Sequence, residues 1–315
     1  MSKNQLIYND FVITWIEYHK QFIKESTYAN YRNIVDNHLA KDFFEVELND
    51  FNNILLQKYV IKKCKYGAVN GGSLTVKTVK DIIVVLKLSL RYAFKNEYID
   101  SFDLSVKYPK VTTNTKITII PNKDISKIIN EVNKSTDIRD CGIIIAILTG
   151  LRIGEICALK YSDICFKSNS ISISRTLQRI YTKENKTKII ETSPKTSSSY
   201  RDIPLAMELK HLISGNSIND NFYILSNSVF PVEPRLLRKR FNYILKQSKT
   251  PHYKFHALRH TFATKCIEAR IDYKTISVLL GHSNINTTLN LYVHPNASQK
   301  KKAITKLTSL MLNKY

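Results

Sequence analysis

Apolar side chains recur every three or four positions through the first hundred residues, a spacing that limits this part of the chain to packed helices. Phe11, Trp15, Tyr18 and Phe22 form one such stripe. A second helix is expected from about Ser26-Thr27, where either hydroxyl is suited to cap it. Leu48–Cys64 reads as a third helix and Gly67 to Ser73 as a loop. Thr75–Asn96 reads as the longest helix, with Val79, Ile82, Ile83, Leu86, Leu90 and Phe94 inward. Lys77, Lys80, Lys87, Arg91 and Lys95 give it a basic side. Ser101–Pro121 is poorly periodic, holds Pro109 and Pro121, and reads as a linker.

From Asn122 the helical spacing returns. Cys141–Leu148 is a buried apolar run that stops at Thr149-Gly150, and a short helix follows from Ile153 to Leu159. Between 170 and 205 the period drops to two. Ile171 and Ile173 alternate with serines, and 189–192 and 200–205 read as two further strands with Ser193–Ser199 as a hairpin tip between them. Helices are expected again over Pro234–Ser248, which carries Arg235, Arg238, Lys239 and Arg240, and over Ala257–Arg270, Tyr273–Leu280 and Asn286–Val293. The expected fold is mainly α in two domains, residues 1–108 helical and 109–315 helical with a small antiparallel β-sheet. A length of 315 residues suits that division.

Charge narrows the partner. Lys and Arg number 48 against 26 Asp and Glu, a formal net charge of +22. Residues 1–50 carry −3, residues 51–110 carry +7 and residues 111–315 carry +18. A surface this basic suits a polyanion, because each phosphate neutralised releases counterions. No apolar stretch reaches membrane-spanning length and the N-terminus has no signal-peptide core, so a cytoplasmic, nucleoid-associated protein is expected. The five cysteines are scattered without CxxC spacing, which points to reduced thiols rather than disulfides or zinc.

Four local patterns carry chemistry. They are Thr149-Gly150-Leu151-Arg152-Ile153-Gly154-Glu155, the run Pro194-Lys195 through Tyr200-Arg201-Asp202-Ile203-Pro204, His256-Ala257-Leu258-Arg259-His260, and Leu280-Gly281-His282-Ser283. Tyr292 follows His282 by ten residues. Singly, each has an ordinary explanation: an ion-paired arginine, a solvated lysine, a packed tyrosine. His256 and His260 at i, i+4 suggest a metal, but the position after His256 is Ala257, so a zinc protease would lack its general base. No carboxylate cluster suits a two-metal nuclease, and neither metal nor cofactor is expected.

Together the patterns suit one reaction. Attack on a phosphodiester needs a nucleophile, positive charge at the two non-bridging oxygens and an acid for the leaving oxygen. Arginine offers a planar, permanently charged fork for the oxygens. Lysine and histidine move protons. A phenol, with an ordinary pKa of about 10, leaves more readily than an alkyl alcohol, so a phosphotyrosine bond reopens without ATP.

These patterns, in this order and ending in a tyrosine, resemble the tyrosine recombinases, or phage integrase family, and among them the integrases of phages and conjugative transposons. The resemblance runs from about residue 7 to 310 and is strongest over Thr149–Leu159, Ser193–Pro204 and His256–Tyr292. It implies a site-specific recombinase. Arg152 and Arg259 would clamp the scissile phosphate, Lys195 would protonate the leaving 5′ oxygen, and His256 and His282 would position the phosphate and assist proton transfer. Tyr292 would form a 3′-phosphotyrosine. Glu155 would support Arg152 or the local helix, and His260 would be structural. Residues 1–108 would then be a core-type DNA-binding domain and 109–315 the catalytic domain, clamped on DNA. The helical pattern begins within ten residues of Met1, so a separate arm-binding domain is not expected in this chain and the layout would be closer to the two-domain recombinases.

The partner implied is double-stranded DNA, with a homotetramer on DNA that exchanges C-terminal helices, an accessory or directionality factor, and no membrane. Ile304, Leu307 and Leu310-Met311 give that terminal segment one apolar face. Two alternatives use the same residues. A type IB topoisomerase would swivel rather than exchange strands, and a silent DNA-binding regulator would form no covalent adduct.

Overall fold

A computed structural model describes residues 6–68, 72–110, 117–182, 186–193, 199–214, 219–284 and 297–312. The chain divides into two compact units, one of residues 1–115 with 179–188 and one of 116–178 with 189–315. As expected, it is mainly helical with small antiparallel sheets. No helix among the described residues is long and apolar enough to cross a membrane.

In the first unit, α1 (Tyr8–His19), α2 (Glu25–Ile34), α3 (Asn53–Tyr66) and α4 (Val76–Lys95) enclose one core. Tyr8, Val12, Ile16, Leu39, Leu56, Val60 and Leu86 are fully buried in it, and the Tyr8 hydroxyl bonds Ser89 Oγ at 2.9 Å. Three details differ from the sequence reading. The carbonyl of Lys24 accepts from Thr27 N and Tyr28 N, so α2 starts one residue before Ser26 and neither hydroxyl caps it. The third helix is broken: Asn52 Oδ1 accepts from Ile54 N and Leu55 N and starts α3 there, after a separate turn at Leu48–Asp50. The stripes also run shorter than their spacing suggests, because Tyr18, Phe22 and Phe94 are exposed. Tyr18 and Phe94 lie on the shoulders of faces whose centres are Val12–Trp15 and Ile83–Leu90, and Phe22 lies beyond the end of α1.

The basic side of α4 is partly spent on the chain itself. Lys87 donates to the carbonyl of Leu104, Lys80 sits over the Tyr108 ring and Arg91 over the Phe102 ring. These contacts tie the 102–108 segment to the helix.

The second unit builds its core from α5 (Asn122–Asn133), α6 (Cys141–Thr149), α7 (Ile153–Ala158), strands β1 (Ile164–Cys165) and β2 (Ser170–Ile173), and the helices that follow. Strands β3 (Thr176–Tyr181) and β4 (Thr187–Thr192) pair with each other, while β5 (Arg201–Pro204) pairs antiparallel with β2 in the order β1-β2-β5. Ile171 faces Ile203 and Ile173 faces Arg201. The expected hairpin is therefore corrected. β4 and β5 belong to different sheets and do not pair with each other, and most of the expected tip, residues 194–198, lies outside the described residues. Helices α8 (Met207–Ser214), α9 (Pro234–Gln247), α10 (His256–Glu268) and α11 (Tyr273–Leu280) complete the described body of this unit. Helix α10 packs on α6, and α11 packs on α10 and β5. A terminal helix, α12 (Ala297–Leu312), follows. The helix expected over Asn286–Val293 lies outside the described residues.

Candidate functional site

Two helices that end in left-handed glycines lay out the site. Helix α6 stops at Gly150 with φ of +65° and α11 at Gly281 with φ of +63°. A side chain is strained in this conformation, and here it is also blocked. A Cβ at Gly150 would lie 2.4 Å from Phe262 Cδ1, and one at Gly281 would lie 2.8 Å from Arg201 Nη1. Each ending exposes the last carbonyls of its helix, which need donors and carry the negative end of the helix dipole.

Arginines supply those donors. Three successive carbonyls at the end of α11 each take a different one. Leu279 O accepts from Arg201 Nε at 2.8 Å, Leu280 O from Arg259 Nη2 at 2.7 Å, and Gly281 O from Arg152 Nη2 at 2.9 Å. Arg259 Nη1 also donates to Gly150 O at 3.0 Å, which joins the ends of α6 and α11. Arg259 is buried, whereas the side chain of Arg152 is 38% exposed.

Glu155 holds the arrangement from below. It lies one turn into α7, where its Oε2 accepts from the backbone N of Arg152 at 2.9 Å and its Oε1 from Arg152 Nη1 at 2.7 Å. Arg201 Nη2 donates to the same carboxylate at 3.0 Å. Burial opposes the charge on Glu155, but the bonds and charges of Arg201 and Arg152 outweigh it and hold the carboxyl below its ordinary pKa.

His256 opens α10 and His282 follows Gly281 directly. Partial enclosure by protein, followed by the charges of His260, Arg259 and Arg152, lowers His256 to about 4, although part of the residue remains exposed. His282 is lowered to about 4 by the same enclosure and by Arg259, Arg152, Arg201 and His256. The His260 ring meets His256 edge-on at 4.6 Å. Enclosure and the neighbouring arginines together oppose protonation of both histidines.

Of the six site residues expected from sequence, the structure brings Arg152, His256, Arg259 and His282 together. Lys195 and Tyr292 lie outside the described residues. Arg201 was missed. The available signal was its register: it shares a strand face with Ile203, and both are buried. Glu155 was anticipated as a support and holds Arg152 as well as the start of its helix.

A cleft beside His256 is lined by Arg238, Asn242, His252 and Lys254, with Leu151, Ile153 and Phe255. Arg235, Arg238 and Lys239 are exposed on α9. Arg240 is not part of that basic face. It bonds both oxygens of Asp140, at 2.8 and 2.6 Å, and pins α9 to the start of α6. Among the described residues no group of three or more His, Cys, Asp or Glu side chains is placed to hold a metal.

The family model described as "Phage integrase family" matches residues 118–299, and one described as "Phage integrase, N-terminal SAM-like domain" matches residues 7–64. A XerC-like tyrosine recombinase of Caldanaerobacter subterraneus subsp. tengcongensis is 28% identical over 96% of this chain and 83% of its own length. The transposase of transposon Tn916 from Enterococcus faecalis is 27% identical over 69% of this chain. The chain spans 58% of that relative. Among solved structures, the Tn1549 transposon integrase in complex with transposon right end DNA superposes with a TM-score of 0.74. It is 20% identical and covers 96% of this chain and 100% of that one, so the two share a fold.

Proposed function

The chain belongs to the phage integrase family, and on that premise we propose which of its residues cut and rejoin DNA. It is a tyrosine recombinase, an enzyme of site-specific recombination of the kind found on phages and conjugative transposons. In our reading residues 1–108 form a helical core-type DNA-binding domain and residues 109–315 the catalytic domain, and both present basic side chains to one duplex in the nucleoid.

Tyr292 Oη attacks the scissile phosphorus as its phenolic proton passes to one of the histidines, a 3′-phosphotyrosine forms, and the 5′ oxygen leaves with a proton from Lys195. The reverse step, with a 5′ hydroxyl from another strand as nucleophile, completes the exchange. Arg152 and Arg259 neutralise the non-bridging oxygens as charge builds in the transition state. They are held by carbonyls and Glu155 before DNA arrives, so little reorganisation is left for the reaction itself. His256 and His282 are neutral in the free enzyme and take up protons as phosphate charge enters. The observation that carries this reading is the convergence of Arg152, His256, Arg259 and His282 on the ends of α6 and α11.

Assembly is part of the same proposal. Ile304, Leu307, Met311 and Leu312 of α12 are 53–69% exposed, and a short helix with an open apolar face is marginal without a surface to cover it. In our reading that surface belongs to a neighbouring protomer, in a tetramer assembled on two DNA sites and biased by an accessory or directionality factor.

The test is covalent capture. Incubated with a nicked suicide substrate of its own attachment site in excess EDTA, the protein is expected to form an adduct on the 3′ phosphate. Adduct that appears only when magnesium is restored would contradict charge neutralisation by the arginines.

A further inference from the structure

Arg201 has a side chain only 3% exposed, so it does not reach a duplex, yet it bonds both Glu155 and the carbonyl end of α11, which hold the clamp. Its guanidinium donates to Leu279 O at 2.8 Å, to Ser199 O at 3.1 Å, and to both oxygens of Glu155 at 3.0 and 3.3 Å. Glu155 is the carboxylate that orients Arg152, and Leu279 immediately precedes the carbonyls that hold Arg259 and Arg152. The same guanidinium fills the space where Gly281 would carry a Cβ, directly before His282.

We propose that Arg201 is a positioning residue for the reaction, setting Arg152, Arg259 and His282 in register through Glu155 and the carbonyl end of α11. This rests on the functional reading above. The geometry requires an arginine. Two carbonyls and a carboxylate are met by one rigid plane, whereas the point charge of a lysine on a flexible stem cannot meet them together. With Lys at 201 the buried carboxylate stays paired, but the end of α11 is released and the clamp loosens by a fraction of an ångström. Glycine at 281 is the complement of this design, since any larger residue would push the guanidinium out of its plane of contacts.

A structural role and a positioning role separate on a substrate whose transition state needs less positive charge. A methylphosphonate at the scissile position replaces one non-bridging oxygen with a methyl group and removes its charge. Arg201→Lys is expected to cleave the ordinary phosphate about 10- to 100-fold more slowly than wild type, the loss a small misplacement brings. On the methylphosphonate its rate is expected to fall within about threefold of wild type, because the clamp has less charge to meet. Half-site binding and the melting temperature report folding. A second variant, Arg201→Gln, leaves Glu155 bonded to Arg152 and reads the loss of the guanidinium alone. It should show the same substrate dependence. Equal loss on both substrates, or failure of both variants to fold, assigns Arg201 to stability and overturns the proposal. A wild-type protein that forms no adduct on either substrate removes the functional reading instead.

Discussion

Arg201 Nη2 lies 3.0 Å from Glu155 Oε2, and the two side chains are 3% and 4% exposed. An ion pair this enclosed is weak evidence for net stabilisation, since both charges have lost their water. Breaking it from one side is another matter.

Glu155→Gln is expected to lower the unfolding free energy by about 3 kcal/mol, because Arg201 is left buried without its counter-charge. Adding Arg201→Gln should return part of that loss. Urea unfolding of the single and double variants measures both values. A Glu155→Gln protein as stable as wild type would show that water already reaches the pair.

Acidity should act on the site in a defined direction. His256 and His282 stay neutral in the folded protein down to about 4, whereas an unfolded histidine takes its proton near 6.5, about its unperturbed value. The unfolded chain therefore binds more protons between those values, and stability falls as pH drops from about 6.5 toward 4. The phosphates of cognate DNA bring negative charge to these histidines and should raise both pKa values, so binding takes up protons in that window. Imidazole NMR titrations with and without DNA read this directly. Two histidines that titrate near 6.5 in the free protein would refute the cationic environment.

Helix α9 separates two kinds of arginine. Arg238 is exposed in the cleft beside His256, so Arg238→Ala should weaken DNA binding and reduce the slope of log affinity against log salt by about one. Arg240 is bonded to Asp140, so Arg240→Ala should leave the slope unchanged and lower stability by about 3 kcal/mol. Affinities across a salt series, beside thermal melts, distinguish the two. Reversed effects would mean the helix meets DNA with its other face.

What the sequence made legible follows from the range of the interactions involved. Arg152, Glu155, His256, Arg259 and His282 sit in short motifs that can be picked out by residue type and order, and in the structure they lie around the ends of α6 and α11. Arg201 did not show, because an arginine in an alternating strand reads as solvated unless its facing neighbour is known. The residue opposite it is Ile173 of β2. Strand β3 escaped because its buried residues, Leu177 and Ile180, are three apart rather than two. The pairing of β5 with β2 is long-range and leaves no periodic trace, and the partner of β4 was missed along with β3. Lys80, Lys87 and Arg91 looked like a solvated basic face until the 102–108 segment was seen to lie on them.

The terminal helix tests assembly separately from chemistry. Removal of residues 303–315 is expected to spare binding to a single half-site and weaken cooperative binding to a full site, because the apolar face of Ile304, Leu307 and Met311, exposed on its own protomer, is no longer there to seat on a neighbour. Native gels with half and full sites show the difference. Unchanged cooperativity would place α12 on its own domain.

The central claim is that Tyr292 is the nucleophile in a site built from Arg152, His256, Arg259 and His282, and covalent trapping of Tyr292→Phe tests it most directly. The ring is kept and only the attacking oxygen is lost, so the variant is expected to bind its site with the affinity of wild type and to yield no protein–DNA adduct on a nicked suicide substrate. An adduct formed by the phenylalanine variant at the wild-type position would contradict the account.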